Sequence, residues 1–202
     1  MSTQELISLG GMLGPILYTT AWVLGGILQP EYSHIRDDIS SLMAVGAPNK
    51  KLFDLMNIIN NALMIIFFGS LHWFINDGQG SYIGPICFMF SNSIGLAVVL
   101  FFPLDEGGEP VTPRGKMHVT LVGMMSVFAL VGMIALWRRL IFTPGWVRFG
   151  NYTLISLIVT IITAVIAAKN IGTDRMGITE RFVVTANLQY FFAIALNVYL
   201  TA

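Results

Sequence analysis

Apolar and charged positions are segregated along this chain into long blocks. Six stretches contain no Asp, Glu, Lys or Arg: Leu6 to Pro30, Leu55 to Asn76, Gly78 to Leu104, Val119 to Trp137, Phe149 to Ala168 and Phe182 to Ala202. Each reaches the roughly 20 residues that a helix needs to cross a ~30 Å hydrocarbon layer. Lipid offers the backbone no hydrogen-bond partner, so each block must be helical. The blocks are apolar all round, whereas barrel strands would alternate. The expected fold is therefore all-α, a six-transmembrane-helix bundle forming one integral membrane domain over 1–202, with spans at about 8–30, 53–76, 81–104, 114–139, 147–169 and 179–201. Between the first two spans, Ile39, Leu42 and Met43 recur at helical spacing. They predict a short amphipathic helix at the interface, with Gly46 as its C-terminal cap and Asn49 as a cap for the second span.

Composition agrees with this pattern. The chain is 55% hydrophobic and 11% charged, against about 25% charged in a soluble domain. Its formal net charge is zero and no basic patch stands out, so nucleic acid is not an expected partner. Membrane lipids are, and a second copy or another membrane protein stays open. Cys87 is the single cysteine, which excludes an intramolecular disulfide and reads as core packing. The first block has no basic flank or small-residue cleavage site before it, so it reads as a retained span.

Six spans place both termini on one side, here side A, with the turns near Asp77 and Arg138 to Trp146. Side B holds three longer loops, Glu31 to Asp54, Asp105 to Met117 and Lys169 to Arg181. Side A carries three Lys or Arg and side B eight. The positive-inside rule then places side B in the cytoplasm and both termini outside the cell membrane.

The candidate chemistry lies on side B. Asn57, Asn60 and Asn61 occupy the side-B half of span two, and Thr185, Asn187 and Gln189 that of span six. Amides at one depth on two helices fit either a polar pocket or interhelical glue. In the first loop, His34, Asp38 and Ser41 fall at i, i+4 and i+7, but residues on one short helix seldom reach triad geometry. In the second, Thr112 and Pro113 mark a helix start, and Arg114 and His118 share a face. Asp105 leaves span three near the depth at which His118 enters span four. It is expected to orient the imidazole, to staple the hairpin, or to join it around a single divalent metal. In the third loop, Thr179 reads as the cap of span six. Arg181 near that helix start opposes the dipole, which suggests pairing with Asp105 or Asp38, a grip on an anionic head group, or snorkelling to lipid. No metal or cofactor is assigned.

At these loops the sequence shows Ile39, Ser40, Ser41 and Leu42 before Gly46 and Pro48, then Phe102, Pro103 and Asp105 before His118, then Gly177 four residues before Arg181. The pattern resembles the domain-of-unknown-function family numbered 998, six-span prokaryotic membrane proteins. The resemblance covers nearly the whole chain. It implies the six-helix fold and points to Ser41, Asp105, His118 and Arg181 as the polar set, without an established activity. The layout is more distantly similar to membrane hydrolases of the alkaline-ceramidase type, which join Ser, Asp and His around zinc. That likeness fails at the histidines: only His34, His72 and His118 are present, and His72 lies at the side-A end of span two. Haem held by two histidines fails for the same reason.

Three functions compete. One is a membrane enzyme acting on a lipid or other amphiphile, with Asp105, His118 and Ser41 as catalytic candidates. Arg181, Arg114, Asp38, Asn57, Asn61, Gln189 and Glu180 are the binding candidates around them. The second is a small-solute or lipid binding or transport protein, against which stand the absence of an inverted repeat and of a broken helix pair. The third is a non-catalytic structural subunit that docks a partner.

Overall fold

A computed structural model describes residues 1–202. Six long helices carry the chain: α1 (Thr3–Leu28), α2 (Lys50–Phe74), α3 (Ile83–Phe101), α4 (Pro113–Leu140), α5 (Val147–Lys169) and α6 (Met176–Leu200). All six are long and apolar enough to cross a membrane. Consecutive helices pack against one another and α6 returns to α1, so the bundle closes as a ring. Close approach is bought with small residues: a Cβ on Gly84 of α3 would lie 3.1 Å from the Gly132 carbonyl of α4.

Helix limits follow local chemistry more than charge. The first helix begins at Thr3, earlier than its apolar block, because Ser2 and Glu5 form a reciprocal capping box. The third ends at Phe101, short of the expected 104, since Pro103 disfavours helical geometry at the residue before it. Thr112 caps α4 as expected, accepting from the Gly115 amide at 3.2 Å. Thr179 does not cap α6. That helix starts at Met176, and the Thr179 hydroxyl donates back to the Arg175 carbonyl at 3.0 Å. Asn49 precedes α2 in the left-handed region at φ 59°, without a side-chain capping bond. The interfacial helix is shorter than its pattern suggests, a 3-10 turn at Ser40–Met43.

The two halves of the bundle are filled differently. Phe67, Phe68, Leu71, Phe88, Leu136, Tyr190 and Ile194 build a continuous core toward side A. Toward side B the helices alone leave a gap, and the first loop fills it. Ile39, Leu42 and Ala44 are buried, with Leu42 packed on Ala21 and Phe53. The loop is thus a plug, seated between α1, α2 and α6.

Candidate functional site

His118 lies in the second turn of α4 and is buried. Helix α3 has just ended, so the Phe102 carbonyl is free to face it, 2.8 Å from the His118 Nδ1. A carbonyl only accepts, so Nδ1 carries the proton and Nε2 of the neutral ring offers its lone pair. That Nε2 is buried and has no protein partner.

Asp105 does not supply the expected orienting contact. Its carboxylate accepts from the Thr112 amide and hydroxyl, both at 2.7 Å, and from Arg114 Nη2 at 3.0 Å. Those bonds, the Thr112 hydroxyl first, hold its pKa down to about 2. A Cβ on Gly115 would collide with this carboxylate. Asp105 therefore staples the α3–α4 loop to the start of α4. Being committed to these donors, it makes no bond to His118. No group of three His, Cys, Asp or Glu side chains has metal-holding geometry.

Asp38 and, less strongly, Asp105 are the acids that the imidazole meets electrostatically. Burial raises the Asp38 carboxyl above the ordinary range, offset by hydrogen bonding from Ser41 and then by the charge of His118. The Ser41 hydroxyl donates to the Asp38 carbonyl at 2.7 Å. The two loops also touch, with the Val45 amide 3.0 Å from the Leu104 carbonyl and Gly108 against Ser41. The first loop thus brings Ser41 onto the Asp38 backbone and Asp38 within electrostatic reach of His118 on α4, while the single-helix face of His34, Asp38 and Ser41 does not form. His34 packs edge-on to Trp22 and Tyr32 instead, and burial, followed by the Arg181 charge, lowers its pKa.

Arg181 pairs with neither Asp105 nor Asp38. It is buried, and its Nη1 donates to the carbonyls of His34, Asp37 and Gly177 at 2.9, 2.9 and 2.8 Å. Its Nη2 donates to the Tyr32 hydroxyl, which in turn donates to the Asp38 carbonyl at 2.8 Å. The rings of Trp22 and Tyr32 cover the guanidinium at 5.4 and 5.5 Å. Beside it, Glu180 accepts the Ile39 amide at 2.7 Å. Arg181 and Glu180 are accordingly the two pins that hold the plug on α6.

The span amides divide. Asn57 reaches the Met43 sulfur at 3.5 Å, and Asn61 donates to the Asn57 side chain at 2.7 Å. These belong to the mouth. Gln189 does not: it bonds Ser156 at 3.4 Å and receives the Tyr152 hydroxyl, joining α5 to α6. Arg114 is exposed on the rim. A cavity of about 10 Å³ lies under the plug, lined by Tyr18, Trp22, Ile39, Leu42 and Asn57 among others; neither His118 nor Arg181 borders it, so it is not the shared wet basin implied by the sequence. Tyr18, Trp22 and Tyr32 escaped the sequence reading. The spacing of Tyr18 and Trp22 at i, i+4, one helical face, was the available signal.

The chain belongs to the family described as Protein of unknown function (DUF998), which matches residues 12–197. No curated protein and no solved structure matches the chain.

Proposed function

We propose that this multi-pass membrane protein is an enzyme whose side-B mouth acts on the polar head of a lipid or other amphiphile. One observation carries the reading: a buried imidazole has its Nδ1 proton fixed by a carbonyl and its Nε2 unpartnered, beside Asp38. A base needs that tautomer and that freedom. In this reading His118 removes a proton from water or a substrate hydroxyl, and Ser41 and Asp38 stand at the reacting group. Asp105 and Arg181 are positioning residues. A head group reaches His118 only when the mouth opens, because the Nε2 of the imidazole is buried in the closed protein.

The test is turnover by the reconstituted full chain of labelled lipids spanning ester, amide and phosphate linkages. Wild type turns over one class, and His118→Gln lowers kcat by about 10²-fold or more with an unchanged melting temperature. No turnover by wild type, or full activity in His118→Gln, overturns the reading. The closed plug supports the alternative of a non-catalytic subunit, for which a stoichiometric membrane partner and an inert mouth are the signature.

We propose, separately, that side B faces the cytoplasm. Arg139 and Arg181 are buried on backbone carbonyls, so they are poor topology signals. Without them the Lys and Arg count is seven on side B and two on side A. A C-terminal reporter active only in the cytoplasm would be silent, and an active one would reverse the orientation.

A further inference from the structure

We infer a binding site for an anionic phospholipid on side A, at the opposite end of the bundle from the proposed active site and independent of it. A groove of about 600 Å³ opens there between the start of α3 and the end of α4. Its volume falls in the ordinary range for small-molecule sites, about 300–1,000 Å³. The wall is of two kinds. Gln79, Ser81 and Arg138 are exposed polar groups near the end of α4, and Val131 and Ile134, one to two turns back along that helix, provide apolar surface. Val131 stands seven residues before Arg138 on α4, about 10 Å along the helix axis at 1.5 Å per residue. A polar rim over an apolar flank at a membrane face is the shape of a lipid.

Charge selects which lipid. The groove lining contains two arginines and no carboxylate. Arg139 is committed to the carbonyls of His72, Ile75, Gln79 and Ser81 and cannot turn outward. Arg138 is exposed and makes no ion pair, so its guanidinium is left for a phosphate. The same face carries exposed Trp73 and Tyr82, which suit the head-group layer. In the proposed pose the phosphate sits at Arg138 and an acyl chain runs along Val131 and Ile134.

The experiment uses the delipidated full chain and native mass spectrometry with phosphatidylglycerol and phosphatidylcholine of identical acyl chains. Wild type retains phosphatidylglycerol about tenfold better, the scale of one charge-assisted contact. Arg138→Gln brings that preference close to one. Arg148→Gln, at an exposed arginine on the same side outside the groove, keeps it. Val131→Trp fills the apolar flank and lowers retention of both lipids, which tests the groove even if Arg138→Gln does not fold. Equal retention of both lipids by wild type overturns the site. So does a preference that survives Arg138→Gln, one lost equally in Arg148→Gln, or retention untouched by Val131→Trp.

Discussion

Arg139 and Arg181 stand at opposite faces of the membrane and do the same mechanical work. Each is buried, and each gathers several backbone carbonyls of a neighbouring loop onto one guanidinium. Their surroundings differ. Arg139 lies in the last turn of α4, where the helix dipole favours a cation, and its other contact is the neutral acceptor His72 Nδ1 at 3.1 Å. Arg181 lies near the start of α6, where the dipole opposes it. Aromatic faces and the nearby carboxylate of Glu180 offset that cost. The latch placed against the dipole has an acid beside it, Glu180, in the bundle mouth. Side A obtains the same closure without acids, and it is side B that holds an acid and an imidazole within electrostatic reach.

The largest effect that tests this contrast comes from removing each latch. Arg181→Met and Arg139→Met each strand several buried carbonyls and should destabilise by roughly 3–5 kcal/mol, read by thermal unfolding in detergent. Arg181→Met should be the more damaging, because it also removes the cation from the Trp22 and Tyr32 faces and the positive charge beside Glu180. An equal or greater loss in Arg139→Met would break the comparison. Lysine should rescue neither site well, since a point charge cannot replace the planar fork.

A smaller effect concerns acid stability. Asp105 has a folded pKa of about 2, below its ordinary 3.8. A depressed folded value means that its stabilising contribution is complete above the ordinary pKa and disappears as pH falls through the folded one. The melting temperature of wild type should therefore drop between about pH 4 and pH 2 more steeply than that of Asp105→Asn. Burial shifts Asp38 the other way, so its contribution is present at low pH and is lost as pH rises. The difference between wild type and Asp105→Asn isolates the Asp105 part. Parallel profiles would show that the staple carries no charge-dependent stability.

Much of the site was legible as a list of residues and little of it as a set of pairs. Ser41, Asp38, His118, Arg181 and Glu180 all lie at the side-B end of the bundle; odd and even spans fix that side, but not who meets whom there. The pairings went elsewhere. Asp105 found Thr112 seven residues away, because the cap of α4 presents a hydroxyl and an amide together. His118 found the Phe102 carbonyl, which Pro103 had released from the helix. Arg181 found carbonyls, which have no sequence signature because every residue carries one.

The order of six spans, their all-α character and the side to which each loop returns were properties of the sequence alone. Lipid cannot satisfy a bare backbone, so an apolar block of that length has one structural solution. Whether the polar loops enclose water or fill the bundle was decided only in three dimensions. That outcome rests on Leu42 and Ile39 entering the gap between α1, α2 and α6, and on Arg181 and Glu180 holding them there. Contacts between residues about 140 positions apart depend on how the helices pack, and no local pattern records them.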